Sequence, residues 1–110
     1  MYVNEKAIEL MENTLKIAAD KTRLKILFSL LEEIDSVKED REIEKCVNDI
    51  ASQIGASQSL VSHQLKVLKD GDFVKNRKEG TKIYYSLKDE HVRQIMEITL
   101  EHVEEDEHHD

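Results

Sequence analysis

The chain has 110 residues, which is enough for one domain and too few for two. It contains no apolar run near the ~18–20 residues that a membrane span needs, and its N-terminus lacks the basic and apolar segments of a signal peptide, so we expect a cytoplasmic protein. A single cysteine excludes an internal disulfide, and three glycines without any proline predict helices with few breaks.

The formal net charge of −8 is unevenly distributed along the chain. Residues 1–50 carry −4, residues 51–88 carry +4, and residues 89–110 carry −8. A basic central segment is typical of contacts with nucleic-acid phosphates, whereas the acidic remainder should weaken non-specific DNA binding. The charge pattern therefore predicts that a DNA-binding element lies between residues 51 and 88.

Two amphipathic helices are predicted before the central segment. The first covers residues 4–18 with Asn4 as its N-cap, and the second runs from the N-cap Asp20 to near Leu31. The second helix should turn its apolar residues inward and three basic residues outward, namely Lys21, Arg23 and Lys25. Between residues 32 and 45, ten of fourteen side chains are charged, which predicts a solvated connection without a core element.

A helix-turn-helix is predicted over residues 49–69. Its first helix ends at Gly55, its second follows the N-cap Ser57, and Gly71 is expected to adopt the left-handed conformation after the second helix. The apolar face of the second helix comprises Leu60, Val61, Leu65 and Leu68. The opposite face carries Gln58, Ser59, Ser62, His63, Lys66 and Lys69. Such groups can bind base edges and phosphates, which indicates a recognition helix, and an amphipathic helix pair without a nucleic-acid role is the alternative.

Two β-rich segments, residues 73–78 and 81–87, follow and are joined through Glu79 and Gly80. They predict a hairpin that would form the wing, residues 73–87, of a winged helix-turn-helix. Four basic side chains near its tip are predicted to contact DNA: Lys75, Arg77, Lys78 and Lys82. A solvated hairpin without DNA contacts is the alternative. The expected fold is thus mainly α with a small β-hairpin, in a single domain over the whole chain.

The last predicted helix covers residues 89–105 and has two apolar faces. One face should pack on the domain, with Val92, Met96, Thr99 and Val103. The other suits pairing with a second helix and comprises His91, Ile95, Ile98, His102 and Glu105. We therefore expect a homodimer formed through this helix together with residues 4–18.

Four polar side chains of the last helix predict a metal site between two copies. His91 and His102 share a face but stand ~16 Å apart along the axis, so they cannot bind one ion within a subunit. In an antiparallel pair, Asp89 and His91 of one copy would meet His102 and Glu105 of the other. This donor set suits tetrahedral Zn(II) or Co(II), with Ni(II) as a further option, and two-fold symmetry gives two sites. The alternative is an acidic helix end that is only solvated. The role of the two trailing histidines, His108 and His109, stays open.

Cys46 is the only thiol in the chain. No second thiol or histidine precedes it, so we interpret Cys46 as a small buried residue at a helix start. A repressor of the same fold that senses a thiol-reactive signal at Cys46 is an alternative function, and a protein-interaction module is another. An enzyme is not expected, because the sequence has no nucleophile and base pairing and no phosphate-binding loop.

Several segments of the chain resemble the ArsR/SmtB family of metal-sensing repressors, in unbroken order through residues 7–105. These segments are residues 20–27, 46–51, 57–65 and 80–87, and Val61-Ser62-His63-Gln64-Leu65 before a wing is quite specific. The resemblance implies a homodimeric winged helix that represses metal efflux or sequestration genes and leaves a palindromic operator when metal binds. It also implies base contacts and metal ligands on the residues already singled out, which are Gln58, Ser59, Ser62, His63, Asp89, His91, His102 and Glu105.

The resemblance has two finer implications. The imidazole N–H of His102 would donate to a backbone carbonyl near Asp72, at the end of the recognition helix. A second family site uses cysteines near the third helix, and Cys46 and Asp49 match its later half. Asn48 replaces its other cysteine, and the N-terminal ligands are missing. Sensing of cadmium, lead or arsenite through that site is therefore not expected.

Overall fold

The computed structural model describes residues 3–31 and 43–108, with side chains as far as Glu105. The described elements are α1 (Glu5–Ala18), α2 (Lys21–Ser29), β1 (Lys45–Cys46), α3 (Val47–Ile54), α4 (Gln58–Asp70), β2 (Val74–Glu79), β3 (Lys82–Leu87) and α5 (Glu90–His108). Most of the predicted charged connection lies outside the described residues. Within the described ranges, none of the helices has both the length and the apolar character needed to cross a membrane.

Polar caps determine where three of the helices begin, as predicted. The side chains of Asn4, Asp20 and Ser57 each accept a hydrogen bond from the backbone N–H three residues ahead, at 2.8, 3.0 and 3.2 Å. Each bond satisfies one of the N–H groups that a helix leaves unpaired at its start. At the other end of α3, Gly55 has the left-handed φ of 70° that glycine adopts readily.

The core lies between α2, α3, α4 and the base of the hairpin. It is formed by Ile26, Leu27, Leu30, Ile50, Ala51, Val61, Leu65, Leu68, Phe73, Val74, Leu87, Val92 and Met96. Leu60 is 41% exposed, so its predicted place on the apolar face of α4 is wrong. At ~100° per residue, the three buried residues of α4 lie within about 60° of one another, whereas Leu60 is about 80° or more from each.

The chain after α4 differs from the predicted helix end. Gly71 has a φ of −90°, and the left-handed φ, 62°, falls on Asp72 instead. Glycine is needed at this position for lack of space, because a Cβ at Gly71 would lie 2.5 Å from Cδ1 of Ile17 in α1. This contact could not be predicted, because it joins residues that are far apart in the sequence.

The strands β2 and β3 form the predicted hairpin, paired antiparallel over residues 74–79 and 82–87. The turn consists of Gly80 and Thr81, and Gly80 has a φ of 63°. The sequence did not predict β1, which pairs with β3 and gives the strand order β1-β3-β2. Lys45 therefore belongs to a sheet, and its predicted place in a solvated connection is wrong.

Hydrogen bonds of Lys45 explain why this two-residue strand is held in place. The residue is only 8% exposed, and its ammonium donates to the backbone carbonyl of Ser29 in α2 and, at 2.6 Å, to Oε1 of Gln53 in α3. A buried ammonium needs such partners because it has lost its water. Two residues are too few to show the alternating pattern by which strands are recognised.

The α1 helix exposes an apolar face. Its C-terminal end is anchored to the body by Ile17 and Ala18. Nearer its start, Ile8, Met11 and Leu15 are 50%, 55% and 59% exposed and line one shallow depression. A single protomer thus leaves to solvent the face that was predicted to take part in dimerisation.

The α5 helix continues past the body of the protomer. Val92 and Met96 are buried, as predicted. Thr99 and Val103 are exposed, so their predicted packing on the domain is wrong for the protomer. At ~1.5 Å per residue, Val103 stands about 10 Å beyond Met96 along the helix axis, which carries it past the core.

Candidate nucleic-acid interface and metal ligands

The α4 helix presents its predicted polar face to solvent. All six of the predicted contact residues on this helix are exposed: Gln58, Ser59, Ser62, His63, Lys66 and Lys69. All except Gln58 line one depression of about 500 Å³ between the helix and the sheet. The structure therefore brings these five residues together on one surface, with Gln58 at the start of the same helix.

Two residues of the sheet, Asn76 in β2 and Tyr85 in β3, line the same depression. They are direct cross-strand partners, so they move as one unit of the hairpin. They were not predicted because they carry no charge, the property by which the wing residues were selected. Asn76 is two residues from buried Val74, and Tyr85 is two residues from buried Leu87. That alternation places both on the face of the sheet towards α4 and could have identified them.

The predicted outward orientation of Arg23 is wrong, and its actual contacts help to position α4. Its side chain is 18% exposed. Its Nε donates to the backbone carbonyl of Ile17 at 2.6 Å, and its Nη1 donates to Oε1 of Gln64 at 2.9 Å. One guanidinium in α2 thus joins the end of α1 to the middle of the recognition helix. Nothing in the local sequence signals this, because Gln64 is 41 residues away.

Arg77 in the wing makes contacts within its own chain that the sequence did not predict. Its Nε donates to Glu44 at 2.6 Å, its Nη1 donates to Glu79 at 2.7 Å, and its guanidinium lies 4.9 Å from the centroid of the Tyr84 ring. The hydrogen bond from Arg77 lowers the pKa of the Glu44 carboxyl, and the two carboxylates raise the pKa of Arg77 above its already high value. The guanidinium is therefore engaged within the protein although its side chain is 49% exposed, and Lys75, Lys78 and Lys82, the other predicted wing residues, are exposed as well.

The predicted metal ligands lie at two separate places on α5. Asp89 caps the helix through Oδ1, which accepts from the N–H of Val92 at 3.1 Å, and its Oδ2 lies 3.8 Å from Nδ1 of His91. His102 and Glu105 are exposed about three and four turns farther along. Among the described side chains of one protomer, no three His, Cys, Asp or Glu residues come close enough to bind an ion together. A site built from these four residues therefore requires a second copy of the chain.

The geometry of the first pair fits a metal ion. Two ligand atoms at ~2.0–2.1 Å from a tetrahedral ion are about 3.4 Å apart, close to the 3.8 Å between Asp89 and His91. The helix cap holds the carboxylate, and the side chain of His91 is 87% exposed, so the pair is accessible to a partner. Both residues therefore fit a shared Zn(II) or Co(II) ion. The side chains of His108 and His109 lie outside the described part, so their role stays open.

Cys46 is less buried than predicted. It is the N-cap residue of α3, as expected for a helix start, but its side chain is only partly buried. Its Sγ donates a hydrogen bond to Oδ2 of Asp49 at 3.3 Å. Cys46 lies in β1, an edge strand of the sheet, which keeps the thiol near the surface and explains the difference.

The fold and its exposed helix face are those of a winged helix-turn-helix regulator, which confirms the predicted fold class. A family model described as bacterial regulatory protein, arsR family, matches residues 20–76, more than half of the chain. The chain therefore belongs to the arsR family, as the resemblance indicated.

Two curated relatives show substantial similarity. A cadmium resistance transcriptional regulatory protein CadC homolog of Staphylococcus aureus is 41% identical over 90 residues, which cover 82% of this chain and 67% of that protein. A transcriptional repressor SmtB homolog of Synechocystis is 36% identical over 87 residues, covering 79% and 58%. Both are regulators rather than enzymes, in agreement with the expectation for this chain. The alignments leave a third or more of each relative unmatched.

The fold is also shared with a solved structure. The solution structure of a homodimeric winged helix-turn-helix DNA-binding domain from Mycobacterium bovis, described as a possible ArsR-family transcriptional regulator, has a TM-score of 0.80. Its sequence is 27% identical, and the match covers 99% of this chain and 94% of that one. This agreement over nearly the whole length includes the wing and α5.

Proposed function

We propose that this chain is a metal-responsive transcriptional repressor that binds palindromic operator DNA as a homodimer. Zn(II), or alternatively Co(II), would release it by binding Asp89 and His91 of one protomer with His102 and Glu105 of the other. The names of the two relatives, a cadmium resistance regulator and a repressor, support metal response and repression. The observation that carries the metal assignment is the Asp89 and His91 pair: the helix cap orients the Asp89 carboxylate, and its Oδ2 lies 3.8 Å from Nδ1 of His91, close to the spacing of two metal ligands.

The DNA-binding half of the proposal depends on the α4 surface. Ser59, Ser62 and His63 are short and exposed at the first turns of the helix, where a recognition helix contacts base edges. Lys66 and Lys69 follow in later turns and can reach phosphates. Lys66 lies 3.3 Å from Asp70, but both side chains are more than two-thirds exposed, so a phosphate can replace this weak ion pair.

The dimer is supported by the apolar surface that a protomer leaves in water. Ile8, Met11 and Leu15 on α1 are at least half exposed, and so are Ile98 and Val103 on α5. Exposed apolar residues on two helices of a regulator of this size are typical of a subunit interface. An antiparallel pair of α5 helices would bury part of this surface and place the two ligand pairs together.

Metal and DNA would oppose each other through the subunit arrangement. A bound ion supplies a cross-link between the α5 helices, which favours one relative orientation of the protomers. The two α4 helices must be spaced to match successive major grooves, so an orientation that changes this spacing weakens DNA binding. By linkage, DNA must weaken metal binding by the same factor. A hydrogen bond from His102 to a backbone carbonyl near Asp72 would couple α5 to the end of α4.

Zinc titration of the metal-free chain tests the whole proposal. A duplex selected from a random pool by the protein itself serves as the operator, and fluorescence anisotropy reports its release. We expect one ion per protomer, saturating together with DNA release. Co(II) should bind with the absorption spectrum of a tetrahedral site. Zinc binding without DNA release, or DNA release from a monomer, would contradict the proposal.

Neighbouring glutamates provide a matched pair of variants. Glu105→Gln removes a proposed ligand, whereas Glu104→Gln makes the same change ~100° away around α5. Glu105→Gln and His102→Ala should each lower zinc affinity by more than ~100-fold and abolish the release of DNA by zinc. Loss of a residue that only hydrogen-bonds to a metal ligand already costs about 10–100-fold in metal affinity, so loss of a ligand itself should cost more. Glu104→Gln should leave the zinc affinity and the release of DNA by zinc unchanged. Cys46→Ser should also retain the zinc response, and its loss would favour sensing at the thiol.

A further inference from the structure

The single arginine of the wing is bound by two carboxylates of its own chain. Arg77 donates to Glu44 at 2.6 Å and to Glu79 at 2.7 Å. Its guanidinium is stacked on Tyr84, 4.9 Å from the ring centroid, and Tyr84 is its cross-strand partner in β3. The side chain therefore extends across the sheet towards the residue that precedes β1. A planar guanidinium binds a carboxylate and a phosphate through the same N–H groups, so both compete for it.

These ion pairs are not needed to hold the wing together. The strands β2 and β3 are already paired over six residue positions, and Val74, Ser86 and Leu87 at their base are buried. The side chain of Arg77 is 49% exposed, and that of Glu79 is 66% exposed. Exposed ion pairs contribute little to stability because water screens them. The main effect of these contacts is therefore to reduce the positive charge that the wing presents to DNA.

The two carboxylates restrain Arg77 differently. Glu79 belongs to β2, two residues away, so it moves with Arg77 when the wing moves. Glu44 belongs to the segment before β1, at the opposite edge of the sheet, and it is 27% exposed. It holds the guanidinium over Tyr84 and towards the segment before β1. Glu44 is thus the residue whose removal should free Arg77.

We propose that Glu44 is an autoinhibitory residue that competes with DNA phosphates for Arg77 and so weakens DNA binding by the free repressor. This inference rests on the proposed DNA-binding function and assigns to its surface a regulating carboxylate. In wild type, the phosphate contacts of the wing come from its lysines. Removal of the Glu44 charge adds one arginine contact per protomer, and two per dimer.

Salt dependence of DNA binding measures the number of phosphate contacts directly. The slope of log affinity against log salt is about −0.9 for each contact. For the metal-free dimer, Glu44→Gln should therefore steepen this slope by about 1.8. Between ~200 and ~50 mM salt, its advantage over wild type should grow by about 12-fold, since each contact contributes about 3.5-fold per fourfold dilution. The duplex should be a non-specific one, so that the result does not depend on operator choice.

Two further variants show whether the gain depends on Arg77. Glu44→Gln combined with Arg77→Met should lose the added slope, because no guanidinium is left to free. Glu9→Gln, on the polar side of α1, changes the net charge equally and should leave the slope at the wild-type value. If the steeper salt slope persisted in the double variant, or appeared equally in Glu9→Gln, its cause would be the change in net charge and not the release of Arg77.

The outcomes separate this inference from the proposed function. An unchanged or shallower slope in Glu44→Gln would overturn the autoinhibition, even if the wild type selects an operator and responds to zinc. Failure to select any sequence would overturn the proposed repressor but leave the slopes on non-specific DNA interpretable. If neither protein bound duplex DNA at ~20 mM salt, Arg77 would reach no phosphate, and the inference would be wrong.

Discussion

Substitution of Gly71 by alanine should destabilise the protein through one identified steric contact. A Cβ at this position would lie 2.5 Å from Cδ1 of Ile17 and 3.1 Å from its Cγ2. The backbone itself tolerates alanine, since the φ of Gly71 is −90°. The destabilising contribution therefore comes mainly from the approach of α1 to the end of the recognition helix, with the backbone oxygen of Val67 at 3.3 Å as a lesser contact.

The size of the effect follows from opposing contributions. Overpacking typically costs about 1–3 kcal/mol, and the lower part of this range applies because Cδ1 is the end of a half-buried, flexible side chain. Replacing glycine also reduces the entropy of the unfolded chain, which stabilises by about 0.4–1 kcal/mol. We expect a net loss of about 1 kcal/mol, or about 4–8 °C in melting temperature for a domain of this size.

Urea unfolding at a fixed protein concentration measures this loss, and a second substitution identifies its cause. Ile17→Val removes Cδ1, the atom at 2.5 Å, so it should recover much of the stability lost in Gly71→Ala. Gly55→Ala is the matched control, because Gly55 has a φ of 70° with open space around it. Its cost of about 1–2 kcal/mol is conformational, and Ile17→Val should not reduce it. A neutral Gly71→Ala, or an additive double variant, would refute the steric argument.

Three more outcomes are expected. Ser57→Ala should destabilise the protein by about 1 kcal/mol in urea unfolding, because it removes the cap of α4. Lys82→Met should weaken binding to all DNA sequences alike and reduce the salt slope by about 0.9 per protomer, whereas Ser62→Ala should relax sequence preference at constant slope. Because Arg77 lowers the pKa of Glu44 below 4.5, the stability from this pair is present above that pH and lost as the pH falls through the lower, folded-state pKa. Because exposed ion pairs contribute little, the difference in urea midpoint between wild type and Glu44→Gln should be small at neutral pH and should vanish as the pH falls through that pKa.

Local sequence signals predicted those parts of the fold that depend on local physics. Asn4, Asp20 and Ser57 cap helices because their side chains reach the backbone three residues ahead, which depends on nothing else in the chain. The hairpin followed from its two β-rich segments and from Gly80 between them. Three of the four predicted apolar positions of α4 are buried. The fourth, Leu60, lies about 80° or more around the helix from the other three and is exposed.

Features that depend on distant contacts could not be predicted in this way. Arg23 reaches Gln64, and Lys45 is buried only because the ends of α2 and α3 supply oxygen atoms to its ammonium. Gly71 is confined by Ile17, which is 54 residues earlier in the sequence. For the metal residues, spacing on a helix gave the candidates, but their assembly depends on a second copy of the chain.

The exposed apolar face of α1 has a consequence for gene control. Ile8, Met11 and Leu15 remain in water in a single protomer. In the proposed dimer, the folding stability and the fraction of associated chains therefore both depend on the protein concentration. At low cellular concentration, the fraction of chains in dimers falls, and with it the concentration of the DNA-binding form. Occupancy of a regulated promoter should then rise more steeply than in proportion to the amount of protein, giving a sharper response without any additional ligand.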